Sequence, residues 1–535
     1  MVFALLLSCV TPEPEQVYSE PTVIDAPKLL RRMSIDLRGV LPSISELEEV
    51  ETDSSRLHHY VQIWMTDTLF IERFVHLLNQ QWHTRIDEYL VSYLEYPEVA
   101  LYPKNEYPFE RSVGEEPLRL MADIVFNDKP WTEIVTADYT MANEITGEIW
   151  PIDYPGGTGW KVSHYTDERP PAGVLSTNGL WWRYYSTRSN YNRARVAAMT
   201  RLLICEDYTT RSISFSQENG VTEVQDLETA LRTNAYCMGC HSAIDPIAAT
   251  LFGFWPANEY QVDEIHTYHP DREALGSDLM GVQPAWYGQP VYGLNELGQH
   301  IANDSRFSQC AVKTFAELYW RRATTEDDFE QLQLLHQSFV DANYSIKTLI
   351  AEIMQTPAYT AGYTETTTEE TTNNPVRLLT PDQLASTIAA LTSYTWTRDG
   401  FQQLDNDSVG FRNLAGGVDG HYITSPQTKS NLTRLLTIQR LAEAASQTVV
   451  AKDLYTESEN RQLLKKITTE STPGNAEFDE QLQDLHFQFY GQRPTNEWLT
   501  LIGQLWHEIA QQEDIETAWS GVLTAMIRDI RFESY

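Results

Sequence analysis

The chain has 535 residues, with 39 Lys and Arg against 75 Asp and Glu, a formal net charge of −36 at pH 7. A field this negative repels phosphate backbones and anionic bilayer surfaces, which excludes sequence-independent nucleic-acid binding. Hydrophobic residues at 42%, with 14 Trp and 28 Tyr, supply material for packed cores, so wholesale disorder is excluded too. At about 150 residues per domain the length predicts three or four domains.

Residues 1–9 form a short apolar run closing on Leu6, Leu7, Ser8 and Cys9, a pattern that resembles a bacterial lipoprotein signal with Cys9 as the lipidated N-terminus. No Lys or Arg precedes it, and a frayed apolar terminus is the alternative. Residues 10–27, rich in Pro and Glu, read as a tether, and Val10 rather than an aspartate after the cysteine resembles outer-membrane sorting. The expected location is the outer membrane, facing periplasm or cell surface and held by a lipid anchor alone. No stretch of about 18 apolar residues is present to cross a bilayer as a helix.

The predicted fold class is mainly α: multi-domain helical bundles with a cytochrome-c-like haem segment and long irregular loops. Residues 28–172 are assigned to an N-terminal helical domain. Within it, the Pro-, Gly- and Tyr-rich stretch from Glu95 to Gly173 is expected to form long ordered loops. Residues 173–360 are assigned to the haem-bearing domain and a helical companion. There Glu326 to Met354, free of Gly and Pro, carries apolar stripes at helical spacing: Phe329, Leu332, Leu335 and Phe339, then Ile346, Leu349, Ile350 and Ile353. The polar tract Thr364 to Asn374 marks a linker over 361–376, and residues 377–535 form a C-terminal helical domain. A weak repeat relates Leu318–Thr324 to Phe489–Thr495, each with a helix ending near an arginine and a Thr capping the next helix. The copies close at Tyr359 and Phe532, and a looser third runs from Leu37 to Phe70; a duplicated helical hairpin accounts for the pattern.

The stretch that carries chemistry is Cys237-Met238-Gly239-Cys240-His241. C-x-x-C-H is the attachment signature of c-type haem. Two thiols on one helical turn reach the two vinyl groups of the porphyrin, and the adjacent imidazole becomes the proximal iron ligand. A Cys237–Cys240 disulfide and a zinc site are the competing readings; no second C-x-x-C or H-x-x-x-H pair accompanies the motif. Cys205 and Cys310 flank the motif and either close a disulfide or remain two buried thiols. Met280 is the foremost candidate for the distal iron ligand, with His266, His269 and His300 as alternatives, or the sixth position stays open.

Ala235 to Ile247 resembles the cytochrome-c-like segment of planctomycete-type cytochrome-c domain proteins, large exported proteins assembled from domains of unknown function. Gly173–Thr177 and Arg193–Cys205 resemble the lead-in of that domain, and Phe307–Cys310 with Tyr319–Arg322 its C-terminal companion. Leu30–Pro42 and Arg377–Leu384 resemble related modules. The chain departs from the family pattern at Ala248, where the family carries Gly, in the apolar run Leu251–Phe254, and in having the module at Arg377 near the back. The resemblance implies covalent haem c on Cys237, Cys240 and His241, and no particular substrate.

Other constellations carry less. Leu404–Ser408 clusters oxygen donors but lacks the glycine and distal glutamate of a calcium loop, so a solvated turn is expected. His58, His59, His76 and His83 lack the i, i+4 spacing of a metal pair. Trp181 and Trp182 are expected to pack against the haem segment. No catalytic fingerprint such as G-x-S-x-G or a P-loop is present. The resulting expectation is an exported lipoprotein with one covalent haem, transferring electrons to or from a cationic partner protein. The alternatives are a helical scaffold or adhesion module with a Cys237–Cys240 disulfide, and a haem peroxidase.

Overall fold

The computed structural model describes residues 23–101, 106–211, 224–258, 261–362, 377–398 and 400–535. Cys9, nearly all of the tether and residues 363–376 of the linker lie outside them. Helix accounts for 61% and strand for 4%, which makes the chain mainly α. Among the described residues the sheets are three two-stranded antiparallel pairs, such as Thr140–Ala142 with Lys161–Ser163. No described helix is long and apolar enough to cross a membrane.

The chain opens with α1 (Ala26–Arg38), α2 (Ile44–Thr52), α3 (Arg56–Trp64) and α4 (Thr68–Trp82). Next comes α5 (Glu106–Phe126), a 21-residue helix inside the stretch expected to be loops. Its apolar stripe is interrupted in the sequence by Arg111, Glu115 and Arg119, which pair along the helix, with Nε of Arg111 2.7 Å and Nη2 of Arg119 2.7 Å from Glu115, while Asp405 and Glu72 take the remaining arginine charge. Gly114 is required where α5 crosses the preceding chain, since a Cβ there would lie 2.6 Å from the Thr84 carbonyl oxygen.

The middle of the chain holds α6 (Arg193–Ile204), α7 (Val224–Thr233), α8 (Ala235–Ala248), α9 (Leu275–Met280) and α10 (Leu294–Ala302). It is followed by α11 (Ser305–Trp320), α12 (Phe329–Asp341) and α13 (Ile346–Ile353). The striped segment 326–354 is thus two main helices, broken where Asn343 and Tyr344 take left-handed backbone, φ 53° and 60°. Phe329 departs from its predicted stripe and is exposed. The C-terminal part is built on α14 (Leu432–Asp453), α15 (Ala476–Tyr490), α16 (Asn496–Gln512) and α17 (Ile515–Ile527).

The weak repeat is a structural unit used three times. Helices α1, α11 and α15 each end on a left-handed residue: Gly39 (φ 71°), Arg321 (φ 57°) and Gly491 (φ 67°). Four positions later Ser43, Thr325 and Thr495 cap the next helical segment, the first two in reciprocal capping boxes with Glu46 and Asp328. The second cap is one position beyond the aligned Thr324. Two helices on, each unit closes with an aromatic ring, Phe70, Tyr359 or Phe532, all at most 1% exposed.

The assigned boundary at residue 172 does not divide the core. One apolar cluster includes Leu29, Leu118, Val174, Phe252, Phe315 and Tyr359, so segments 28–172 and 173–360 share it, and Phe487 of the C-terminal part joins it. The C-terminal part has its own cluster, which also takes Ile35 and Leu41 from the N-terminal end. Helix α1 therefore serves both cores, and its polar residues complete the joint. Arg31 donates to the carbonyls of Phe489, Phe532 and Ser534 at 2.8–2.9 Å, and Asp36 accepts from the hydroxyls of Tyr359 (3.0 Å) and Tyr535 (2.7 Å). Buried charge is tolerated here because it is paired and hydrogen-bonded.

A second correction concerns Leu404–Ser408. It is no solvated turn: Asp405 accepts from Arg85 at 2.8 Å, and from Tyr107 and Arg111, while Asp407 pairs with Arg412 at 2.9 Å. Asp405 thereby fastens the C-terminal part onto α5, while Asp407 braces its own loop through Arg412.

Candidate functional site

The C-x-x-C-H run begins at the third residue of α8. Asn234 caps that helix, its side chain accepting from the Tyr236 amide at 2.9 Å. The C-terminal half of α8 is rooted in the core through Ile244, Ile247 and Ala248, all buried. The N-terminal half stands out from it, with Tyr236 73% and Met238 42% exposed and Cys237, Cys240 and His241 half-buried. Gly239 lies between the thiols, and no atom comes within 4 Å of where its Cβ would be. This face of the helix is open around the glycine, with Tyr236 and Met238 exposed beside it.

Both motif cysteines are free thiols, so the alternative Cys237–Cys240 disulfide is not formed; regular helix from Ala235 onward holds the two side chains a turn apart, unbonded. Arg211 places Nη1 3.8 Å from the Cys240 sulfur. Among the described residues no three His, Cys, Asp or Glu side chains converge to hold a metal ion. Haem attachment needs no such convergence, because thiols and imidazole address different parts of the cofactor.

His241 is oriented by a buried relay. Its Nδ1 lies 2.8 Å from Oδ1 of Asp245, and Arg193 grips the same carboxylate with Nε at 2.8 Å and Nη2 at 3.0 Å. Burial pushes the Asp245 carboxyl up, but hydrogen bonds from His241 and Arg193 outweigh it and hold the group below its ordinary value. An ionised carboxylate only accepts, so Nδ1 carries the proton, and the lone pair available for a metal can only be that of Nε2. That is the tautomer an iron ligand needs. Asp245 sits at i+4 from His241, a spacing legible in the sequence. Arg193, 52 residues before Asp245, leaves no sequence signal.

The other predicted residues are distributed around this helix. Cys205 and Cys310 are disulfide-bonded, Cα atoms 5.3 Å apart, pinning the end of α6 to α11. Met280 is 2% exposed at the end of α9, which packs on the 3₁₀ turn Ala249–Phe254 continuing from α8. The adjacent Gly281 abuts the Arg232 guanidinium of α7. His266 stacks on Tyr96, ring centroids 6.3 Å apart, and His269 turns Nε2 to the Glu264 carbonyl at 3.2 Å, so both imidazoles already have structural contacts. His300 is half-buried in the last turn of α10. Trp181 packs on Phe254 (6.0 Å between centroids) and donates to the Leu175 carbonyl. His76 faces Arg85 and His83 faces the Thr424 carbonyl, which makes both structural groups.

Comparison with known proteins identifies one segment. Residues 287–359 match a family model described as a protein of unknown function (DUF1585), a family associated with cytochrome-c-like domain proteins. The matched segment holds α10 to α13 and Cys310, and begins beyond the C-x-x-C-H run. No curated protein and no solved structure matches the chain.

Proposed function

We propose that this protein carries one c-type haem, joined through thioether bonds to Cys237 and Cys240 with His241 as proximal iron ligand, and that it transfers electrons. The observation that carries the reading is the Arg193–Asp245–His241 relay beneath two free, half-exposed thiols on one helical turn. When bound, the haem supplies one-electron ferric–ferrous chemistry. The chain's own residues do the positioning. Asp245 holds the Nδ1 proton and fixes the ring plane, Arg193 holds Asp245, and the Cys205–Cys310 bond keeps α6 in place. Met280 is the proposed distal ligand.

The rest of the proposal concerns place and partner. Apolar residues before Cys9 support export and lipid anchoring at the outer membrane, and a disulfide outside the motif fits an oxidising compartment. The net charge of −36 favours docking of a cationic redox protein. Expression in a host with c-haem maturation tests the core of the reading. Haem should persist through denaturing electrophoresis and give a c-type pyridine haemochrome; a colourless product from such a host overturns it.

A further inference from the structure

We infer that the cleft between α11 and the C-terminal part is a binding site for a small organic anion bearing carboxylate or phosphate groups. The cleft has a volume of ≈ 410 Å³ and is lined by four arginines, Arg201, Arg321, Arg322 and Arg377, with Glu317 as its lining carboxylate. That volume falls within the range of roughly 300–1,000 Å³ typical of small-molecule sites.

The local charge balance is positive in a chain whose net charge is strongly negative. Asp36 is shared between Arg321 at 3.7 Å and Arg377 at 3.3 Å, and Asp328 takes Arg322 through two 2.7 Å contacts. Glu317 is occupied by the backbone amide and hydroxyl of Thr324 at 2.9 and 2.8 Å. Arg201 donates to the neutral Tyr184 hydroxyl at 3.0 Å and has no carboxylate partner among the described residues. Asp382 also acts on Arg321 but is taken by Arg73 at 2.7 Å, so the four lining guanidinium groups outnumber the carboxylates left to offset them. His83, at the rim, adds no counter-charge.

Donor capacity is also unspent. Arg377 is 3% exposed and leaves Nε and Nη2 without an acceptor among the described residues, where Nε of Arg321 and of Arg322 are likewise buried and unpartnered. Buried donors in native structures find acceptors, and carboxylate or phosphate oxygens match the planar fork of arginine better than any neutral group. The loop at 424–428 adds hydroxyl and amide groups to the lining, the polar complement an oxyanion ligand uses. Arg201 lies eight residues along α6 from Arg193, about 12 Å at 1.5 Å per residue, so one rigid helix joins this cleft to the relay beneath His241.

The site does not depend on the haem reading and is tested without haem. Isothermal titration calorimetry on the full chain, with citrate and inorganic phosphate as separate probes in about 0.15 M salt, should give one saturable site for at least one anion. The anion that binds identifies the headgroup chemistry. Arg201→Gln and Arg322→Gln should each weaken binding tenfold or more with an unchanged circular dichroism spectrum, and Arg440→Gln, an exposed position on α14, should not. Absence of saturable heat with both anions, or affinity undiminished in both cleft variants, overturns the inference.

Discussion

Replacing Asp245 by Asn probes the relay on which the functional proposal rests. Asp245 is 5% exposed and receives three hydrogen bonds, from His241 at 2.8 Å and from Arg193 at 2.8 and 3.0 Å. Its folded pKa lies below the ordinary value, so the stabilisation it contributes is present above the unfolded carboxyl pKa of about 3.9 and is lost as pH falls through the folded value. A hydrogen bond to a charged group contributes about 1.5–3 kcal/mol. Asn keeps the shape and one acceptor oxygen, but presents an amide where one of the two donors needs a carboxylate oxygen. The relay stays below one-third exposed throughout, so water replaces little of the loss. The expected cost near neutral pH is about 2–3 kcal/mol. Urea unfolding followed by tryptophan fluorescence should show this gap near pH 7 and a narrowing gap toward pH 3. Equal midpoints at neutral pH, or a gap indifferent to acid, refute the reasoning.

Three further outcomes follow from the geometry. Reducing the Cys205–Cys310 bond, or replacing both residues by Ser, frees a closed loop spanning 105 residues and should destabilise by about 4–5 kcal/mol on the chain-entropy estimate; an unchanged urea midpoint contradicts it. Gly114→Ala places a methyl 2.6 Å from the Thr84 carbonyl oxygen and 2.8 Å from Arg85 Cα, and should cost about 1–3 kcal/mol, read as a lowered unfolding midpoint. Glu116 is buried, which pushes its carboxyl up to about 7 against hydrogen bonds from Gly179, Tyr165 and Thr140. Its stabilisation is full below the unfolded value of about 4.3 and disappears as pH rises through about 7, so Glu116→Gln should flatten the decline in stability between about pH 4 and 7.

Much of the helical architecture is legible in the sequence because its signals are local. Ser43 and Thr495 announce the helices they cap, and the Leu318 and Phe489 segments betray the repeated unit before any coordinates. What escapes is set by contacts between distant residues. The Pro-, Gly- and Tyr-rich stretch from Glu95 reads as loop, yet Arg111, Glu115 and Arg119 pair along α5 and let a buried helix form there. Asp405 reads as a surface turn because its partners, Arg85 and Arg111, lie some 300 residues away in the chain. The same limit applies at the site. Cys237, Cys240 and His241 announce themselves by spacing, and Asp245 sits a helical turn beyond, but Arg193 joins them only through folding.

The attachment of haem to Cys237 and Cys240 is tested most directly by intact-mass spectrometry of the chain matured in a host that makes c-type cytochromes. The account predicts a single added haem that survives denaturation, is localised to the peptide containing residues 237–241, and is absent from the double Cys237→Ser, Cys240→Ser variant. A bare polypeptide mass, or haem that dissociates on denaturation, contradicts it.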